Sequence, residues 1–229
     1  MPTQITILGD VHADWDSLDK AIANNSNTDV FIQVGDLGLF PNSGFFPLKG
    51  FKKPLYFIDG NHDDHSFLAY CIKNNKLEIV KNCFYISRGS TKEFDGVKIN
   101  FMGGALSIDK HVRTEGLDWW REEIPSYEEF NRFANLDSAD IVVTHAAPSF
   151  VTKGMFVEKE SDVVAKTLDK IWNMWDNKPK LWLFGHYHVP IKIQVKDTLF
   201  MCIPCTHDHD VPANSGLTLI FDNGQFNIK

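Results

Sequence analysis

QITILGDVHADWDSLDKAIANN, residues 4–25, sets a pattern that the first third of the chain repeats. QITILG is short, nearly apolar and β-rich, as strands covered on both faces tend to be. Gly9 ends the run, Asp10 and His12 follow, and DWDSLDKAIANN then carries helical spacing behind a polar start fit for a cap. VFIQVGDLG (30–38) and LYFIDGNHD (55–63) repeat the strand, the glycine and the polar group, and DDHSFLAYCIKNN (63–75) repeats the helix. Strand and helix in alternation argue for a sheet flanked by helices.

The middle of the chain changes character. NCFYISRGSTKEFDGVKINFMGG (82–104) reads as strand–turn–strand–turn–strand, with Gly89 and Asp95–Gly96 as turn signals. Residues 107–137 read as loop plus helix, rich in Trp and charge. DIVVTH (140–145) and KLWLFGH (180–186) return to buried strands, separated by the helical SDVVAKTLDKIWNMWDN (161–177). IKIQVKDTLFMCI (191–203) and GLTLIFDNGQFNI (216–228) look like hairpins, the second turning at Asn223–Gly224. With no repeat, low-complexity tract or linker, the expectation is one domain over residues 1–229. Its fold class is α/β, a four-layer α/β/β/α sandwich of two mixed β-sheets flanked by helices.

Five strand ends carry metal-liking groups: ILGDVH (7–12), QVGDLG (33–38), IDGNHD (58–63), VTHAAP (143–148) and LFGHYH (183–188). Together they supply Asp10, His12, Asp36, Asn61, His145, His186 and His188, an oxygen and nitrogen set sized for two metal ions. In open α/β sheets the carboxyl ends of the strands are where ligands bind. Carboxylate oxygen and imidazole nitrogen suit hard or borderline divalent ions, whereas soft ions prefer thiolates. A carboxylate placed between two ions can bridge them at the ~3.5–4 Å suited to phosphoryl chemistry. Taken singly, each segment reads equally well as a turn, a cap or a half-buried histidine. Five in order are not explained that way.

These segments resemble the calcineurin-like metallophosphoesterase superfamily, whose pattern is D-x-H, G-D, G-N-H-[DE], H and G-H-x-H. The resemblance spans roughly residues 5–190. It implies that Asp10, His12 and His188 bind one metal, that Asn61, His145 and His186 bind a second, and that Asp36 bridges them. It further implies that His62 sits over the substrate as proton donor or transition-state stabiliser, with Asp63 orienting it. Two divalent ions are implied as cofactors, manganese (Mn²⁺) first, with Fe²⁺ or Fe³⁺, Zn²⁺, Ni²⁺ and Co²⁺ as alternatives. Asp14, Asp64 and His65, near the motifs, are read as caps or surface groups.

Departures from the pattern narrow the substrate. Ser/Thr protein phosphatases of the superfamily carry G-D-x-V-D-R-G and G-N-H-E, but this chain reads GDLGLFPNSG (35–44) and GNHDD (60–64). The arginine that grips the substrate phosphate there is missing. The aspartate form resembles phosphodiesterases and broad-specificity phosphoesterases, including cyclic-nucleotide and nuclease branches, and the loop SIDKHVRTEGLDWW (107–120) resembles that of small prokaryotic and phage members. In that loop Lys110, His111 and Arg113 are candidate substrate-binding donors, set against a plain solvated loop pinned by Trp119 and Trp120. The expected activity is hydrolysis of phosphate esters by a hydroxide held between two metals, with nucleotide-type phosphodiesters favoured. The alternatives are a phosphomonoesterase, protein phosphatases included, and a metal-free scaffold that has lost catalysis.

Composition agrees with a small-molecule partner. A formal charge of −7 over 229 residues disfavours broad nucleic-acid contact, although bound cations would reverse the sign of the field locally. MPTQITILGD has no basic leader, and no run approaches the ~18 apolar residues of a membrane span, so a cytoplasmic protein without a membrane partner is expected. Cys71, Cys83, Cys202 and Cys205 suggest no disulfide framework. Cys202 and Cys205 form a C-x-x-C just before His207 and His209, which invites a zinc or redox reading. The apolar run around Cys202 favours buried thiols instead.

Overall fold

The computed structural model describes residues 1–41, 50–154, 162–206 and 216–229, and among these thirteen strands and five α-helices follow one another. His207 and His209 lie outside the described residues. In chain order the elements are β1 (Thr3–Leu8), α1 (Trp15–Asn24), β2 (Val30–Gln33), β3 (Leu55–Phe57), α2 (His65–Lys73), β4 (Glu78–Val80), β5 (Cys83–Tyr85), β6 (Ser90–Phe94) and β7 (Val97–Met102). They continue with α3 (Tyr127–Ala134), β8 (Ile141–Thr144), α4 (Ser149–Thr152), α5 (Val163–Met174), β9 (Leu181–Phe184), β10 (Lys192–Val195), β11 (Thr198–Cys202), β12 (Leu217–Asp222) and β13 (Gln225–Ile228).

One sheet has the order β13-β12-β1-β2-β3-β5-β4 and the other β10-β11-β9-β8-β7-β6. Within each, a parallel centre (β1-β2-β3-β5 and β11-β9-β8-β7) is edged by antiparallel strands, so both sheets are mixed. The apolar runs are explained by three buried layers. Ile5, Ile7, Ile32 and Val34 of the first sheet meet Ile99, Phe101, Ile141 and Val143 of the second, filling the space between the sheets. Leu8, Phe31, Leu55 and Phe57 point outward against Leu18 and Ala21 of α1 and Leu68 and Cys71 of α2. Val142, Trp182, Phe184 and Phe200 do the same against Phe130 and Phe133 of α3 and Leu168 and Trp172 of α5. The result is helix, sheet, sheet, helix, as the sequence implied.

Local signals hold at the helix starts. The Asp14 carboxylate accepts from Ser17 N at 3.0 Å and that of Asp64 from Phe67 N at 3.0 Å, capping α1 and α2. Three strands from the 82–104 stretch and both C-terminal hairpins also form where expected. His65 departs from its reading as a cap or surface group. It opens α2 but is buried, against a buried ion pair that the sequence did not reveal.

That pair is Asp59 and Arg88. Arg88 donates to Asp59 Oδ2 from Nε at 2.8 Å and from Nη2 at 2.6 Å, and Tyr85 donates its hydroxyl to Oδ1 at 2.8 Å. Burial alone would raise the Asp59 carboxyl, but the Arg88 guanidinium, His65 and the Tyr85 hydroxyl together outweigh it and hold the group below its ordinary value. Arg88 also reaches Glu129 at 3.2 Å and the Glu122 carbonyl at 2.8 Å, so the loop after β3 is tied to the segment that leads into α3. Removing one partner of a buried pair leaves an uncompensated charge. Arg88→Ala should therefore lower stability by about 3–5 kcal/mol in chemical denaturation; a loss below about 1 kcal/mol would show that water reaches the pair.

Candidate metal centre

Each ligand segment lies immediately past a parallel strand, in the loops after β1, β2, β3, β8 and β9. The turns there are sharp enough to need unusual backbone. His12, Asp36, His186 and His188 have φ of 50°, 57°, 68° and 53°, in the left-handed region that non-glycine residues rarely adopt. Such strain persists only where surrounding bonds over-determine it. Here they do: the Asp36 carbonyl accepts from Val11 N and His12 N, both at 2.9 Å, and the Asp10 carboxylate accepts from His186 N at 3.0 and 3.2 Å. Close approach explains two of the glycines. A Cβ on Gly60 would collide with the Asp36 carboxylate, and one on Gly185 with that of Asp10.

The side chains then converge in two groups around one carboxylate. On one side His188 Nε2 is 2.9 Å from Asp10 Oδ2 and 3.0 Å from His12 Nε2. On the other, His145 Nε2 is 3.2 Å from Asn61 Oδ1, and a nitrogen of His186 lies within 4.8 Å of donor atoms of His145 and Asp36. Asp36 Oδ2 stands between the groups, 3.8 Å from His12 Nε2 and 3.3 Å from His145 Nε2. All seven ligand candidates are thus brought together, with Asp36 between the two groups.

Residues 3–190 match the sequence profile of the calcineurin-like phosphoesterases. The chain belongs to that family. No curated protein sequence matches it. Among solved structures, phosphopantetheinyl hydrolase from Mycobacterium tuberculosis is similar at 12% identity and a TM-score of 0.60, with 94% of this chain and 95% of that one covered. TT1561 of Thermus thermophilus shares 13% identity at a TM-score of 0.57, covering 100% and 99%. GAP50, the anchor in the inner membrane complex of Plasmodium, shares 12% at a TM-score of 0.55, covering 100% and 84%. At these identities the likeness is one of fold, and the fold houses a hydrolase and an anchor alike. Among the described residues no helix is long and apolar enough to cross a membrane.

The family implies divalent metals, and the donor chemistry fits them. His145 Nδ1 is 2.9 Å from the Val34 carbonyl, so it carries the proton and turns the other nitrogen toward Asn61 Oδ1 and Asp36 Oδ2. Three acceptors facing one another need a cation between them. Asp10 and Asp36 are buried, and among the described residues their ion-pair partners are histidines alone. Burial drives His12 down to about 4 against the pull of Asp36 and Asp10, and burial with the nearby His145 brings His186 to about 4. Neutral imidazoles are the form that binds metal.

The remaining candidates separate. His62 lies over the first group, its ring centroid 4.9 Å from that of His12, and its backbone N–H donates to Asp36 Oδ1 at 2.6 Å. Asp63 accepts from Gly38 N and Leu39 N at 2.9 Å and from Gly60 N at 2.8 Å. Its carboxylate therefore clamps two ligand loops together, and the side chain that meets the His62 ring is Arg113, with Nη1 2.8 Å from Nδ1 and Nη2 2.9 Å from Nε2. Asp109 fixes Arg113 by a 2.7 Å bond. Lys110 and His111 are exposed on the same turn. Cys202 is a buried thiol, pushed up to about 12 by burial, whereas Cys205 donates to the Asp10 carbonyl at 3.1 Å and has its sulfur within 4.8 Å of nitrogens of His12 and His188. Sequence spacing missed that proximity. It arises because β11 runs parallel beside β9 and so ends at the same edge, a pairing that no local signal announces.

In the metal-free chain the cation between these acceptors is a proton. Burial works against it, but the Asp36 charge and hydrogen bond raise His145 to about 10, so the proton stays on throughout the neutral range. A metal held by His145 would have to displace it, and its affinity should then rise with pH across that range. Titration calorimetry with Mn²⁺ near neutral pH, in two buffers of different ionisation heat, should show about one proton released for the ion at His145. Equal heats in both buffers would mean that His145 is neutral before metal arrives.

Proposed function

We propose that this chain hydrolyses phosphate esters at two divalent ions, with nucleotide-type phosphodiesters as its preferred class. One ion would be held by Asp10, His12 and His188, the other by Asn61, His145 and His186, and Asp36 would join them. The observation that carries this reading is the position of Asp36 Oδ2 between His12 and His145. Manganese is the first ion to test. Bound ions acidify a water nucleophile and neutralise charge on the phosphoryl oxygens. A complete ligand set supports catalysis over a metal-free anchoring role on the same fold.

The chain's own groups handle the rest of the ester. His62 and Arg113 stand side by side, and a guanidinium can only donate. Burial disfavours the charged form of His62, and the adjacent Arg113 charge adds to that effect against the pull of Asp36, so its pKa is lowered. A neutral His62 suits the stabiliser role better than the proton donor, offering an N–H to charge that develops on the phosphoryl group. Arg113 would grip the ester's second arm, with Lys110 and His111 as exposed donors beside it. The guanidinium absent after Asp36 would thus arrive from the loop after β7. That placement supports a diester in preference to a phosphoprotein.

Kinetics on a panel separate these roles. With Mn²⁺ and a set of phosphomonoesters, aryl phosphodiesters and cyclic nucleotides, His62→Ala should keep both ions and lose about 10²–10³-fold in kcat. The loss should be equal across leaving groups; a loss that shrinks as the leaving group improves would make His62 the acid. Arg113→Ala should lower kcat/KM for diesters more than for monoesters. Losing a charge-assisted contact costs ~1.5–3 kcal/mol, roughly 10- to 150-fold. Unchanged kinetics for Arg113→Ala on every substrate would remove the arm-gripping assignment.

A further inference from the structure

The loop between β7 and α3 supplies a second buried contact beneath the centre, one that touches no metal position. Asn61 must present its oxygen, not its nitrogen, to a cation. An amide has nearly the same shape either way round, so something has to choose the orientation. Asn61 Nδ2 donates to Ser107 Oγ at 3.1 Å. Ser107 Oγ in turn donates to Glu123 Oε2 at 2.5 Å, and Ser107 N donates to Glu123 Oε1 at 3.0 Å. All three residues are buried.

The direction of this chain is fixed by bookkeeping of protons. An ionised carboxylate is an acceptor only, so the one hydroxyl proton of Ser107 goes to Glu123. The hydroxyl oxygen is left with lone pairs toward Asn61, and only the amide N–H₂ can meet them. The Asn61 oxygen is thereby turned to the opposite side, where it lies 3.2 Å from His145 Nε2. We propose that Glu123, acting through Ser107, is a positioning residue that sets the orientation of the Asn61 amide and with it the affinity of the second metal position. The inference rests on the two-ion reading. It also explains why a carboxylate with no route to substrate is buried below the site.

The test reads metal affinity and does not depend on turnover. Glu123→Gln keeps size and shape, but its amide N–H₂ can donate to Ser107 Oγ and send the hydroxyl proton toward Asn61. The Asn61 amide must then turn over. Competition against a chelator with Mn²⁺ should show the ion at Asn61 weakened about 10- to 100-fold, the usual effect of losing an outer partner of a metal ligand. The ion at Asp10 should be unchanged. Ser107→Ala should weaken the same ion and Ser107→Thr, which keeps the hydroxyl, should restore it, with thermal melts confirming that each variant folds. In an Asn61→Asp background both atoms are oxygen, so Glu123→Gln should no longer weaken binding. If Glu123→Gln and Ser107→Ala both hold two ions as tightly as the wild type, the positioning role is wrong while the two-ion reading stands. A wild type that takes up a single ion overturns the two-ion reading and the inference with it.

Discussion

Asp36 is the constraint from which the site is built. Its carbonyl holds the turn at Val11 and His12, one carboxylate oxygen receives the His62 backbone N–H, and the other sits between His12 and His145. It does this from a left-handed backbone, with φ of 57°, in a fully buried position. An isolated carboxylate there would be prohibitively costly. The surrounding histidines offset that cost with a proton on His145 in the metal-free chain, and metal would do so more completely. Its acidity points the same way: burial pushes the carboxyl up, yet the neighbouring histidines, His145 foremost, hold it well below the usual range. The same electrostatics stabilise the fold and create the demand for cations.

The fold meets that demand by aiming several loops at one place. Two sheets, each with a parallel centre, put the loops after β1, β2, β3, β8 and β9 close enough for their side chains to touch. Asp63 and the Asp59–Arg88 pair lock these loops from below through backbone and buried-ion contacts. Affinity and rigidity therefore share residues, and changes well away from the metal positions are expected to reach them.

Much of this was legible in the chain itself. The strand-end positions of the seven candidate ligands, the helices α1, α2 and α5, the caps at Asp14 and Asp64 and the turn at Asn223–Gly224 follow from short-range patterns: apolar period, glycine, and a side chain that satisfies a free N–H. Contacts between distant segments were not legible. Nothing local says that Arg113 crosses to His62, that Glu123 reaches Asn61 through Ser107, or that Cys205 lies beside His12 and His188. Asp63 shows the difference most clearly. Its neighbour in sequence is His62, but its carboxylate is satisfied by three backbone N–H groups from two loops. A buried carboxylate goes where donors are unsatisfied, and that is decided by topology. The joining of β12 to β1, which places a C-terminal hairpin in the N-terminal sheet, is of the same kind.

Metal content of the purified protein, with and without Asp36, bears most directly on the two-ion centre. Elemental analysis after loading with Mn²⁺ should give two ions per wild-type chain. Asp36→Ala should hold at most one, and weakly, because both groups of ligands lose their shared oxygen. Two tightly held ions in Asp36→Ala would contradict the bridging role, and with it the organisation of the site around a single buried carboxylate.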